Sequence, residues 1–363
     1  MSTKLYEWSD GITQLGSVWA GLVESTGINP SMHPGWLDIS ICTQGYANSA
    51  RVLLVELGAD VAIVPLVYRR VLVGGVPMRC LDLCTNVMSY HAELIASGSQ
   101  ERVLATVAQC KDIPRWDVLR LGNLVSPGSS VAAADVAGQS LAGVVTYAGE
   151  QSPFAGISQG WSALVAGLPK KMRANITRCV RTTEQAGTAG MDWYGKDGDV
   201  DRLLADMLEV ESRSWKVAEN KSIKANTPEA EYYRRLLPWL ARHGLMANVL
   251  RVDNRPAAYV LCATWGGWAG QLKTSFAADV RDAGFRVIQA SIERACDTGQ
   301  REYDFLGDAA PHKLRWTSQI RAHEHKWLFA RHWRGRALLQ LKRTIDAWRY
   351  RQPADAQAGR DEE

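Results

Sequence analysis

One order of elements, three strands followed by a helix and a further strand, is written twice in these 363 residues. In the first half, residues 51–57 and 61–68 are β-branched-rich runs separated by Gly58-Ala59-Asp60, which predicts a hairpin. Residues 78–84 predict a third strand. Residues 101–111 place Val103, Leu104, Val107 and Ala108 at helical spacing, and 116–121 predict the closing strand. The second half repeats this pattern without obvious sequence identity. Residues 245–252 and 257–264 flank the turn Asp253-Asn254-Arg255-Pro256, and 269–276 follow Trp265-Gly266-Gly267-Trp268. Phe285, Ile288, Ile292 and Ala295 then mark a helix face that stops at Gly299, and 302–306 predict the last strand. A helical crossover to a parallel strand is right-handed, which leaves few topologies open. The expected class is α/β (α+β), with two tandem domains, each a mixed, mostly antiparallel sheet flanked by helices.

The expected division is 1–160, 161–332, and a basic helix with a polar tail at 333–363. Residues 123–158, rich in Gly, Ala and Ser with a weak strand at 141–147, read as the crossover between halves. Three helices precede the second repeat. Residues 169–185 carry a basic face, and 200–215 are amphipathic through Leu203, Leu204, Met207 and Leu208. The third begins at Thr227-Pro228-Glu229, with the Thr hydroxyl as cap and Pro at the first helical position.

The chain is long enough for two cores sharing an interface. Its net charge of +4 is unevenly spread: residues 1–160 hold 9 Lys/Arg against 13 Asp/Glu, and the remainder 33 against 25. The basic second half therefore expects an anionic partner, such as a phosphorylated cofactor, a nucleotide-activated sugar, tRNA or a lipid surface. No basic start followed by an apolar run marks a leader, and no apolar stretch approaches the roughly 20 residues of a spanning helix. The seven cysteines are scattered, with no zinc spacing, so no metal and a cytoplasmic location are expected. No element that reads nucleic-acid sequence is recognised.

Several segments carry a family resemblance. They are His33-Pro34-Gly35-Trp36-Leu37, the run 168–176 with Glu184 and Gly187, and Glu211-Ser212-Arg213-Ser214-Trp215-Lys216. Further on come Leu272-Lys273-Thr274-Ser275-Phe276, Gly284, Gly299, Glu302-Tyr303-Asp304-Phe305-Leu306-Gly307, and His312-Lys313 with Trp316. In order and spacing the chain resembles GNAT-superfamily acyltransferases of the CelD type, associated with cellulose and exopolysaccharide biosynthesis and related to the FemAB peptidoglycan aminoacyltransferases. The resemblance implies an acetyl-CoA-dependent N-acyltransferase acting on an amino group of a sugar or polysaccharide precursor. The alternatives are a FemAB-like enzyme using charged tRNA, or a scaffold that binds a nucleotide or partner without catalysis.

The resemblance assigns the pyrophosphate loop to Arg281, Gly284, Phe285 and Arg286, where backbone N–H groups at a helix start hold phosphate. Arg286 stands where the family has a small residue. Read without the family, Gly284 is equally a glycine of an ordinary strand-to-helix loop. Asp304 ends a short apolar strand and either serves the chemistry or makes local turn bonds. Lys313 inherits a charge-stabilising role from the family motif, and His312 replaces its usual aromatic. Lys170 and Arg173 either grip an anionic acceptor or form a solvated helix face. Trp215, Lys273 and Ser275 are expected to line the acceptor cleft. The C-terminal segment 333–351 carries Leu338, Leu341, Ile345 and Trp348 on one face. It lies either on an anionic membrane, at its inner face and near polysaccharide-synthesis machinery, or on the protein with its charges outward.

Overall fold

A computed structural model describes residues 1–86 and 91–349; the polar tail expected from Gln352 lies outside the described residues. The first half opens with β1 (Ser2–Glu7), α1 (Trp8–Thr26) and α2 (Pro34–Thr43). The three-stranded meander follows as β2 (Ala50–Leu57), β3 (Asp60–Val73) and β4 (Val76–Leu83). A two-residue strand β5 (Ile95–Ala96) pairs with β3, then come α3 (Gln100–Gln109) and β6 (Val118–Ser126). The second half repeats the whole series, not only its last part: β8 (Ala189–Tyr194), α7 (Val200–Ser212), α8 (Pro228–His243), β9 (Leu245–Val252), β10 (Arg255–Trp265), β11 (Trp268–Phe276), α9 (Ala283–Asp297) and β12 (Glu302–Asp304). Between the repeats lie α4 (Ser129–Ser140), β7 (Gly143–Gly156), α5 (Trp161–Gly167) and α6 (Lys170–Gln185); after them come β13 (Ile320–Phe329) and α10 (Trp333–Arg349).

Twelve strands form one row, β1-β2-β3-β4-β6-β13-β7-β12-β11-β10-β9-β8. Only the pairs β4–β6 and β11–β12 are parallel; the other pairs are antiparallel. The segment expected to be a plain crossover at 123–158 is structural. Its alanine-rich stretch forms α4, whose Ala133, Ala134 and Ala137 are buried, and the strand seen weakly at 141–147 is the long β7. Residues 143–153 of β7 pair with β13, and residues 154–156 pair with β12, so this one strand joins the two sheets. β13 follows the second repeat in sequence, yet it lies in the first half, between β6 and β7. The halves therefore share strands across the expected boundary at residue 160.

Alternating side chains explain why both faces are covered. Leu53, Val55 and Leu57 pack under α3 and α4, while Val52, Ile63 and Val67 meet Trp8, Leu15 and Trp19 of α1. In the second half, Tyr259, Leu261 and Ala263 face α7 and α8, and Val260 and Cys262 face α9. The His33-Pro34-Gly35-Trp36 segment is one place where the halves touch. His33 Nδ1 accepts the Gly35 N–H at 3.1 Å and starts α2. Trp36 is fully buried against α8 and donates from Nε1 to Tyr232 at 2.7 Å. A buried tryptophan removes on the order of 150–250 Å² from water and needs a partner for its N–H, and both demands are met here.

One helix ends earlier than expected. The helix expected over 200–215 ends at Ser212, because Arg213 leaves the axis to bond the Pro256 carbonyl and the Asp279 carboxylate. The thread then makes a separate short turn at Trp215. α10 docks on the first-half sheet, with Leu338 and Leu339 buried beside Met78, Cys80 and Phe329. Trp333 and Trp348 remain exposed. Among the described residues, no helix is long and apolar enough to cross a membrane.

Candidate active site

β11 and β12 run side by side for three residue pairs, Trp268 with Glu302, Ala269 with Tyr303, and Gly270 with Asp304, and then part. Gly270 is required at the fork: a Cβ there would sit 2.0 Å from the Trp268 ring. Asp304 stands on the opposite lip, fully buried. Its Oδ2 accepts from Arg321 Nη1 at 2.5 Å, from His91 Nε2 at 2.8 Å and from Trp268 Nε1 at 3.4 Å, while Oδ1 accepts the Leu306 N–H at 2.8 Å. Burial alone would raise the Asp304 pKa. The His91 hydrogen bond and charge, with Arg321 and the Leu306 N–H, outweigh it and hold the carboxyl below its ordinary value.

Beyond Asp304 the chain turns through two left-handed residues, Leu306 (φ 49°) and Gly307 (φ 58°). Leucine rarely adopts that conformation, so the bond from Asp304 to its N–H has strain to hold. The Leu306 carbonyl accepts from Lys313 Nζ. Burial lowers the Lys313 pKa, opposed by the negative charges of Asp308, Asp304 and Glu150. Glu150, on β7, is pushed up to about 7, first by its hydrogen bond with Asp308, then by burial and by the Asp308 charge. The Lys313 amine, the Glu150–Asp308 carboxyl pair and the buried Asp304 carboxylate thus meet at the fork.

Behind His91 the chain of bonds continues. His91 Nδ1 lies 2.7 Å from His323 Nε2, and His323 Nδ1 lies 2.8 Å from the Glu150 carbonyl oxygen. Burial pushes the His323 pKa down to about 4. Arg321 also binds Glu302 through Nη2 at 2.8 and 2.9 Å.

On the α9 face a groove of about 1020 Å³ runs beside the fork. α5 and α6 form one wall, with Lys171, Asn175 and Arg178; Arg315, Trp316 and Gln319 form the other. No carboxylate lines it. Arg178 binds Asp282 at 2.6 Å, which ties the groove to the start of α9. Asp282 is itself left-handed (φ 59°), and no side chain caps this helix start. Phe285 stacks on Trp316 with ring centroids 5.0 Å apart.

The opposite face of β11 is a separate polar place. Glu211, fully buried, accepts from Tyr259 at 2.7 Å, from Lys216 at 3.1 Å and from the Ile223 N–H at 3.2 Å. Lys216 also binds the Thr274 carbonyl at 2.8 Å. Beside them, the Ser275 hydroxyl is buried without a partner.

Comparison with known proteins bears on the family and the fold. Residues 170–314 match the family described as acetyltransferase (GNAT) domain. This segment is a GNAT-type acyltransferase domain. No curated protein matches the chain. Among solved structures, FemX is 10% identical with a TM-score of 0.56, over 94% of this chain and 99% of FemX. L-PGS from Bacillus licheniformis is 10% identical with a TM-score of 0.53, over 90% of this chain and 96% of that one. A chain from Agrobacterium fabrum, named as the C-terminal domain of a lysylphosphatidylglycerol synthetase, is 10% identical with a TM-score of 0.56, covering 92% and 96%. At such identities these likenesses show a shared fold.

The GNAT domain divides the expected site residues into groups. Lys313 and Asp304 meet at the fork, but Asp304 already accepts four hydrogen bonds, three on Oδ2 and one on Oδ1. His312 is exposed beside Lys313; partial desolvation, then Lys313 and Arg315, lower its pKa. In the α9 loop, Arg281 is exposed and the Arg286 N–H bonds the Asp282 carbonyl at 2.9 Å. Gly284 is buried, and a Cβ there would lie 2.4 Å from the Phe276 ring. Its small size therefore serves packing within the domain. Lys170 is exposed at the start of α6, whereas Arg173 turns back to the Ala166 and Leu168 carbonyls at 3.3 and 2.6 Å. Trp215, Lys273 and Ser275 belong to the other face of β11. Lys273 is paired with Glu229 at 2.7 Å there, and Trp215 is 44% exposed. Lys170 and Arg173 are thus parted from the three residues they were grouped with. Sequence reasoning missed His91, His323, Arg321 and Glu150. The alternation of His323 and His325 along one strand is the available signal, but it points nowhere until β13 is known to enter the first half. Among the described residues, no cluster of three or more His, Cys, Asp or Glu is arranged to hold a metal.

Proposed function

We propose that the chain transfers an acyl group from acyl-CoA, acetyl-CoA in the simplest case, to an amino group of a sugar or polysaccharide precursor. The observation that carries this reading is the groove beside α9. Its Lys171 and Arg315, with Arg178 ion-paired to Asp282, suit a phosphorylated donor, and Trp316 is the aromatic ring that lines it. These residues fit coenzyme A at the α9 start, where no side chain occupies the helix amides. At the fork, one Lys313 N–H is spent on the Leu306 carbonyl, and the remaining donors can face charge developing on a thioester oxygen. Glu150, poised near neutrality, suits the removal of a proton from an attacking ammonium or amine. The sugar acceptor rests on the resemblance to the CelD type. Trp215, Lys273 and Ser275 form the face on which we place it.

Titration with acetyl-CoA, followed by transfer assays on free and nucleotide-linked amino sugars, tests the reading. The expected result is donor binding that weakens in Arg178→Ala and transfer to an amino sugar. Failure to bind coenzyme A together with transfer from a charged tRNA would replace this reading with the FemX-like one. A place at the inner face of a membrane, beside polysaccharide-synthesis machinery, would rest on the exposed Trp333 and Trp348, since the leucines of α10 are used within the chain.

A further inference from the structure

The bonds joining Asp304, His91, His323 and the Glu150 carbonyl number three, and each needs one proton. A backbone carbonyl only accepts, so His323 carries its proton on Nδ1. His323 is held neutral by burial, so its Nε2 accepts and His91 Nδ1 donates to it. Asp304 is held ionised and also accepts, so His91 Nε2 donates as well. Two neutral imidazoles supply only two protons; the third resides on His91.

We propose that His91 is a buried imidazolium that fastens the first half onto the Asp304–Lys313 segment of the second, and so acts as a positioning residue for acyl transfer. Among the described residues, His91 and Arg321 face Asp304 and Glu302, with Arg321 and His323 supplied by β13 and the two acids by β12. The other facing groups are the Trp268 ring from β11, at 6.4 Å, and Glu93 from the segment of His91, whose carboxyl is pushed up chiefly by burial. Lys313 is the next cation, beyond Leu306. The route to the chemistry is short: Asp304 Oδ1 holds the Leu306 N–H, and the Leu306 carbonyl holds Lys313 Nζ. Without the His91 pair, Asp304 Oδ2 keeps Arg321 and the longer Trp268 contact, and the left-handed Leu306 is anchored on a less firmly held carboxylate.

The protonation state and the positioning role are tested apart, since only the second rests on the transfer reading. Nitrogen-15 NMR of the histidine-labelled full chain at pH 7.5, assigned with His91→Gln and His323→Gln, should show His91 protonated on both nitrogens and His323 on Nδ1 alone. A singly protonated His91 overturns the imidazolium. With His91→Asn as a further assignment variant, the spectrum decides this even if His91→Gln fails to fold, and even if no acyl acceptor is found. In a transfer assay, His91→Gln should lower kcat on the order of 10- to 100-fold while donor Kd stays within about twofold, the signature of a displaced group. An unchanged kcat in a folded His91→Gln chain would leave the contact structural and sink the positioning role.

Discussion

The two halves repeat one series of elements, and at the same fork they place opposite chemistry. In the first half β4 and β6 part after Asp82 and Arg120; in the second β11 and β12 part after Gly270 and Asp304. Arg120 is answered within its own half by Asp82, at 2.5 and 2.6 Å, and lies over the Trp327 ring. Lys342 and Asp346 of α10 then wall a groove of about 800 Å³ above it, so cations and carboxylates balance. Asp304 is answered by His91 from the first half and by Arg321 from the strand that crosses into it. The helix starts differ too: Ser99 caps α3 by accepting the Arg102 N–H at 3.3 Å, while α9 starts uncapped. Duplication of a fold therefore does not duplicate a site. The half that closes its own charges and caps its own helix reads as scaffold, and the half that leaves both to be completed from outside is where we place the chemistry.

The comparison predicts its largest asymmetry in turnover. Lys313→Met keeps the stem and removes the charge, so transfer should fall on the order of 100- to 1,000-fold while donor affinity is retained. Arg120→Met, at the other fork, should leave kcat within about twofold, well inside the tenfold that 1.36 kcal/mol represents. Steady-state kinetics at saturating acceptor check both; equal losses would break the assignment of the site to one half. Stability should divide the same way. Asp304→Ala strands His91 and Arg321 and should cost about 3–5 kcal/mol, whereas Asp82→Ala, at a partly solvated pair, should cost about 1 kcal/mol. Urea unfolding measures both, and a larger loss at Asp82 would reverse the argument.

The repeated strands and the α3 and α9 helices were legible because period-two and 3.6-residue patterns are local. The swap of β13 was not, since nothing in 320–329 says which sheet it joins. Lys313 and Asp304 could be named because they lie on one short stretch with a motif. His91 could not: it is a single histidine whose partners stand 213 and 232 residues away. Gly284 was legible as a glycine of the α9 loop, but its reason, the Phe276 ring against it, is tertiary.

That ring gives a smaller test of the two halves. Gly284→Ala drives a methyl into Phe276 and should cost about 1–3 kcal/mol, less if the half-exposed ring swings away. The double change Gly284→Ala with Phe276→Ala should recover part of that loss. Gly122→Ala, on the lip of the first-half groove, meets His325 at an ordinary 3.5 Å and should stay within about 0.5 kcal/mol.

The smallest effect is the pH dependence contributed by the second-half site. Glu150 has its pKa raised from 4.5 to about 7 in the folded chain, first by its hydrogen bond with Asp308, then by burial and the Asp308 charge. A carboxyl raised on folding binds more protons in the native state than in the unfolded one, so stability falls as pH rises. The contribution is complete below about pH 4.5 and is lost as pH passes through about 7. Glu150 is partly solvated, which screens the effect. Buried histidines such as His323 pull the other way below about pH 6.5, so the Glu150 term is read as a difference. From pH 5 to 8 the melting temperature of wild type relative to Glu150→Gln should decline, because the amide keeps a hydrogen bond to Asp308 without titrating. The same variant should lose the alkaline activation of transfer if Glu150 takes the proton from the acceptor. A difference that does not change with pH would part the carboxyl pair from the site.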